Sequence, residues 1–126
     1  MTVRTRTLDV FGVDLHLATD VRDWGKIRRA WPEKDGLVEW GIGSLATTGA
    51  CPNDNGVMQI AFRFDMARVG LMPDAELISL VAHEAFHAAL SIAEHHGIPT
   101  TVEHDETTAY LVGWISAWIW HALHGG

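Results

Sequence analysis

Apolar residues alternate with polar ones in two segments of the first half of the chain, and this alternation predicts two β-strands there. The first segment covers residues 10–17 and the second covers residues 57–64. The second segment shows the clearer pattern, because its large apolar residues recur at every other position and can share one face of a sheet. Those residues are Met58, Ile60, Phe62 and Phe64, with Gln59 and Arg63 on the opposite face.

The segments around these strands carry weaker patterns. Residues 21–31 have the spacing of a short helix, which Pro32 would stop. Residues 37–45 are apolar but interrupted by glycines, so that either a short strand or an irregular segment fits. Residues 47–56, with the sequence TTGACPNDNG, are dense in turn-forming residues and predict a loop.

The second half of the chain is helical in its pattern. A long helix is predicted over residues 74–96, with Asp74 in its first turn and Gly97 as its stop. A second helix is predicted over residues 104–123. Strands and a short helix followed by two helices indicate an α+β fold with a small antiparallel or mixed N-terminal sheet.

Length, charge and composition narrow the class of protein. The chain has 126 residues, so we expect a single domain over residues 1–126. The net charge of −7 argues against nucleic-acid binding, which needs clustered positive charge. The longest apolar run, residues 109–120, falls short of the roughly 18–20 residues of a membrane span. With one cysteine, Cys51, and no pattern of a signal peptide at the first residues, a reducing cytoplasm is the expected location.

The first long helix carries the motif H-E-x-x-H at His83, Glu84 and His87. Two histidines four residues apart lie on one face of a helix, one turn apart, so both imidazoles can reach one metal ion. A glutamate directly after the first histidine reaches water beside the metal rather than the metal, and can act as a general base. The spacing therefore predicts one zinc ion per chain, held by His83 and His87, with Glu84 as the base.

Apolar residues cover most of the circumference of the same helix. We therefore expect a mostly buried helix whose two histidines lie in one narrow polar strip. The apolar positions are Leu77, Ile78, Val81, Ala82, Ala85, Phe86, Ala88, Ala89 and Ile92.

A catalytic zinc site needs a third protein ligand and an open fourth position. Glu106, on the second helix and 19 residues after His87, is the preferred candidate, with Glu103, His104 and Asp105 as nearby alternatives. Glu106 shares a helix face with Tyr110, Gly113 and Ala117. Because Gly113 and Ala117 are small, we expect this face to pack closely against the histidine-bearing helix.

H-E-x-x-H on one helix, followed by a glutamate on the next, resembles the gluzincin branch of the zincin metallopeptidases. The run Glu106 to Ile115 (ETTAYLVGWI) is also similar to small phage- and prophage-encoded proteins thought to be zinc peptidases. The resemblance covers about residues 57–120. It implies a minimal zincin-like domain in which residues 57–64 form an edge strand that pairs with an extended peptide substrate.

The resemblance also implies a mechanism. His83, His87 and Glu106 match the zinc ligands, and Glu84 matches the base that activates a zinc-bound water for peptide-bond hydrolysis. The oxyanion would need a further donor, for which Tyr110, His104 and His121 are the candidates.

Two further interpretations stay open. The chain can be a phage-type binding or regulatory protein that acts on a host protein and uses zinc only to brace its helices. It can also be an interaction module that uses the Trp-rich C-terminal helix, with Trp114, Trp118 and Trp120, to associate with itself or with a membrane surface. The remaining tryptophans, Trp24, Trp31 and Trp40, are expected in the core.

Overall fold

A computed structural model describes residues 4–9, 11–41 and 43–125. It divides the chain into two compact units, Met1–Met72 and Pro73–Gly126. The first unit holds a four-stranded sheet and the second holds two long helices, which confirms the predicted α+β class. The zincin-like identity and the single domain stay predictions.

The sheet of the first unit is mixed, and its strands lie in the order β1-β2-β4-β3. Strand β2 runs parallel to β4, while the β1–β2 and β3–β4 pairs are antiparallel. Gly12, with a φ of 60°, lies in the turn between β1 and β2, a conformation that glycine adopts without a steric penalty. The elements in chain order are β1 (Arg4–Leu8), β2 (Val13–Ala18), helix α1 (Val21–Ala30), β3 (Ala46–Pro52), β4 (Met58–Phe64) and the short helix α2 (Met66–Val69).

Strand β4 confirms the strand predicted at residues 57–64, but its expected place at the edge of the sheet is wrong. It lies between β2 and β3 and pairs with both. Arg63 is fully buried although the alternation placed it on a polar face, because Ser44, Thr47 and the Trp40 ring cover its side chain. Its guanidinium donates hydrogen bonds to Ser44 O (3.0 Å), Ser44 Oγ (2.7 Å) and Thr47 Oγ1 (3.2 Å). It also lies 5.4 Å from the centre of the Trp40 ring.

The loop predicted over residues 47–56 is also wrong for most of its length, because β3 occupies Ala46–Pro52. Every residue of β3 pairs with a residue of β4, so tertiary pairing overrides the weak local preference for a turn. The turn itself is confined to the residues after Pro52, where the Asn53 side chain accepts hydrogen bonds from the backbone N–H groups of Asn55 and Val57. Asn53 N donates a hydrogen bond to Val57 O. Since hydrogen-bonded and non-hydrogen-bonded pairs alternate along antiparallel strands, the nitrogen of the neighbouring Pro52 faces away from β4, and no hydrogen bond between the strands is lost there.

Helix α1 confirms the helix predicted at residues 21–31. Asp20 caps it by accepting a 2.8 Å hydrogen bond from the Asp23 backbone. Trp24 is buried and its Nε1 donates a hydrogen bond to Val38 O at 2.7 Å, which ties the irregular segment after the helix to it.

Residues 37–45 form no strand where the structure describes them. Ile42, like Val10 of the first predicted strand, lies outside the described residues. The apolar cluster here contains Ala18, Trp24, Ile27, Trp31, Leu37, Cys51 and Ala61, with Trp40 packed against it.

The second unit contains α3 (Asp74–His95) and α4 (Glu106–Leu123), in agreement with the two predicted helices. Gly97, with a φ of 67°, follows the end of α3 in the left-handed conformation that favours glycine. A single 3₁₀ turn (Val102–His104) precedes α4. The two long helices pack against each other. Among the helices that the structure describes, none has both the length and the apolar character to cross a membrane.

We predict that Gly49→Ala destabilises the first unit. A Cβ atom at this position of β3 would overlap the Cδ2 atom of Leu37, which is itself buried in the apolar cluster and has little room to move. Overpacking of this kind costs about 1–3 kcal/mol. Urea denaturation of the variant should show this loss, and a Gly49→Ala/Leu37→Ala double variant should lose less than the sum of the two single variants.

Candidate metal centre

The two histidines of the H-E-x-x-H motif lie together on α3. Their Nε2 atoms are 3.1 Å apart, and the ring centres are 4.8 Å apart with the ring planes at 79°. This closeness follows from the helix, since residues four apart are stacked one turn above the other. When two nitrogens bind the same tetrahedral zinc ion at Zn–N distances of about 2.0–2.1 Å, the two nitrogens are about 3.3–3.4 Å apart. The observed separation of 3.1 Å is close to the spacing that one ion requires.

Glu84 lies beside this pair but in different surroundings. Its Oε2 atom is 3.9 Å from His83 Nε2. The Glu84 side chain is 6% exposed, whereas that of His83 is 64% exposed. In steps of 100° around the helix, Glu84 lies at the border between the buried arc and the histidine face. Its carboxylate is thus held close to the imidazoles while most of the side chain is shielded from water.

The sequence predicted that α3 is mostly buried, with both histidines in a narrow polar strip, and this prediction is wrong. Ile78 and Phe86 are 56% and 48% exposed, and both His83 and His87 are exposed. The buried residues form one arc, and the histidines lie on the opposite, solvent-facing side of the helix. The arc consists of Leu77, Val81, Glu84, Ala85, Ala88, Ala89, Ile92 and Ala93.

The structure does not bring Glu106 to the histidine pair. No group of three or more His, Cys, Asp or Glu side chains is placed to hold a metal within residues 4–9, 11–41 and 43–125. Glu106 is the exposed first residue of α4. Residues near the start of α3 and near the end of α4 line one groove, so the two helices run antiparallel. Glu106, the first residue of α4, then lies toward the end of α3, beyond His87.

The helix face expected to carry Glu106 against α3 is solvent-facing, which corrects that expectation. Glu106, Tyr110, Gly113 and Ala117 are all exposed, and no heavy atom lies within 4 Å of a Cβ placed on Gly113. The residues that α4 buries are on its opposite side. They are Thr108, Leu111, Ile115, Ile119, Ala122 and Leu123. Gly113 thus serves no close helix contact.

The other candidates from the sequence lie in separate places. Glu103, His104 and Asp105 are exposed in the segment before α4, where Thr101 Oγ1 and His104 Nδ1 are 3.1 Å apart. Tyr110 is 52% exposed on α4. His121 lines the groove between the two helices. Tyr110, His104 and His121 stay candidate stabilisers by prediction alone, and Glu103, His104 and Asp105 stay alternative third ligands in the same way.

That groove is a feature that the sequence analysis missed. It has a volume of about 360 Å³, in the range of small-molecule sites, and its lining is mostly apolar. The recurrence of apolar residues at positions 78, 81 and 82 was a signal for it, but the same spacing also fits a helix buried all round. The lining residues are Ile78, Val81, Ala82, Ser116, Ala117, Trp120 and His121.

Cys51 offers no second reactive centre. The thiol is buried in the first unit, and this burial, together with the negative charge of Glu33, raises its pKa. A raised pKa leaves less thiolate at neutral pH, and the thiolate is the reactive form.

Comparison of the chain with protein-family models, with curated proteins and with solved structures finds no match.

We predict that Gly113→Ala stabilises the second unit. Glycine inside a helix costs about 0.5–1 kcal/mol relative to alanine, and the space around Gly113 accommodates a methyl group. Thermal denaturation should show a higher midpoint than for the parent chain. A lower midpoint would mean that this face does pack closely against another helix.

Proposed function

We propose that the chain is a zinc-dependent peptidase whose reaction centre is formed by His83, Glu84 and His87. The observation that supports this most directly is the convergence of the two Nε2 atoms at 3.1 Å with the Glu84 carboxylate 3.9 Å from His83 Nε2. Two imidazoles and a carboxylate that is not itself a ligand are the side chains that zinc-dependent hydrolysis uses on one helix.

The donor set fits zinc in its chemistry. Neutral imidazole nitrogen is a preferred zinc ligand, and the exposure of both rings lets an ion approach from solvent. Zinc, when bound, supplies Lewis acidity that polarises a peptide carbonyl and makes water more acidic.

Glu84 then performs the proton transfers. Its Oε2 atom faces the site and can accept a proton from the attacking water, and the protonated carboxyl can return that proton to the amine that leaves. Glutamine has nearly the same shape, but its amide cannot accept a proton from water and return it to the leaving amine.

The remaining parts of the proposal come from the sequence. Glu106 is the proposed third ligand, and it would have to approach the pair from its present place at the start of α4. Tyr110, His104 and His121 are the proposed oxyanion donors. We propose an extended peptide as the substrate and the cytoplasm as the location. Pairing of the peptide with residues 57–64 is not retained, since β4 is central in its sheet.

A second function is a metal-binding regulatory protein without hydrolytic activity. It is favoured by one observation, namely that the residues the structure describes provide two exposed histidines and no third ligand grouped with them. In this case zinc would bind, and Glu84 would have no effect on function.

We expect Glu84→Gln to abolish peptide hydrolysis while zinc binding and folding are retained. Loss of a general base lowers rates by about 10²–10⁴-fold. Release of peptides from a denatured protein mixture by zinc-loaded chain would be measured by mass spectrometry. Glu94→Gln is the matched control, because Glu94 lies on the same side of α3 but two turns beyond His87. Equal hydrolysis by the parent chain and Glu84→Gln would refute the peptidase, and zinc binding without hydrolysis would leave the regulatory function.

We expect His83→Ala and His87→Ala each to lower zinc affinity by more than about 100-fold, since even residues that only orient zinc ligands contribute 10–100-fold. Competition with a fluorescent chelator measures this, and His95→Ala, at the end of the same helix, should bind zinc like the parent chain. Glu106→Gln should also weaken binding if Glu106 is the third ligand. An unchanged affinity in Glu106→Gln would remove it from the site.

A further inference from the structure

We infer that, at limiting zinc, two copies of the chain share one ion through His83 and His87 of each copy. This inference rests on the metal pair of the proposed function and not on hydrolysis. It begins from an incomplete site: two nitrogens 3.1 Å apart, with no third ligand grouped with them among the residues described. A closed zinc site has four protein ligands in tetrahedral arrangement. A second copy supplies the two missing ligands through its own His83 and His87.

Symmetry makes this assembly simple. In a two-fold dimer the same patch faces itself, so an ion on the axis receives one histidine pair from each copy. The pair lies near the middle of the solvent-facing side of α3, and the His83 side chain is 64% exposed. Four neutral imidazoles around one zinc ion satisfy both its preferred ligand type and its coordination number.

The residues that flank the histidine pair make formation of the dimer depend on zinc. In an antiparallel crossing centred between the histidines, Leu80 of one copy meets Leu90 of the other, and both are half-buried apolar residues. The same crossing brings Glu76 toward Glu94, and both are exposed acids. Each chain also carries a net charge of −7. Without the ion, like charges oppose the contact, so the dimer should require zinc and should not form in a chelator.

Mass action gives this arrangement a distinctive response to zinc. When zinc is scarce, one ion is shared by two chains because each ion gains four ligands instead of two. When zinc is in excess, each chain holds its own ion, and the shared ion is no longer favoured. The dimer would also leave no open coordination position, so the proposed hydrolysis belongs to the single chain.

Sedimentation velocity during a zinc titration of the full chain tests the inference. The sedimenting species should change from 13.9 kDa to twice that mass. The dimer fraction should be greatest at one zinc ion per two chains and should fall when zinc exceeds one ion per chain. His83→Ala and His87→Ala should remain monomeric, with circular dichroism confirming that they fold. The matched control His95→Ala should dimerise like the parent chain.

Other results would overturn the inference in distinguishable ways. A parent chain that binds one ion and stays monomeric would exclude the shared site but not the proposed peptidase. A dimer that survives in His87→Ala, that forms in a chelator, or that grows steadily with excess zinc would place the interface elsewhere. A parent chain that binds no zinc would exclude both proposals.

Discussion

The burial of one arc of α3 is the constraint on which the candidate site depends. Apolar and small residues such as Val81, Ala85 and Ile92 are removed from water, and this fixes the rotation of the helix about its axis. Once that rotation is fixed, His83 and His87 lie on the opposite side, and Glu84 lies at the border. The difference in exposure between the buried Glu84 and the two accessible histidines is therefore a consequence of helix packing. No separate loop or lid is needed to produce it.

A different constraint organises the first unit. Strand β4 pairs in parallel with β2 and antiparallel with β3, so both of its edges are hydrogen-bonded. Arg63 of this strand is buried, and its guanidinium exchanges water for Ser44, Thr47 and the Trp40 ring. A buried cation is tolerated only when its donors are used in this way. The irregular segment between α1 and β3 is thereby held in place by polar contacts as well as by the apolar cluster.

The exposure of the histidine pair has two opposite consequences. An accessible pair can accept an ion and a peptide from solvent, as a peptidase requires, but it provides few ligands of its own. The coordination must then be completed by water, by a movement of α4, or by another chain. The source of the remaining ligands determines the kind of site. A coordination position left open to water allows catalysis, whereas four side-chain ligands make a closed structural site. The two proposed functions thus use the same two residues, and the number of ligands around the ion decides between them.

Local sequence determined the parts of this protein that depend on near neighbours in the chain. The bounds of α1, α3 and α4, strand β4 and the spacing of His83 and His87 follow from helix and strand periods, capping residues and stop signals. Only the tertiary structure decided the rest. β3 is a strand because β4 pairs with it, and β4 is central because β2 and β3 flank it. Arg63 is buried because Ser44, Thr47 and the Trp40 ring cover it. Whether Glu106 meets the histidines depends on the alignment of two helices along each other, and hydrophobic periodicity identifies a helix face without fixing that alignment.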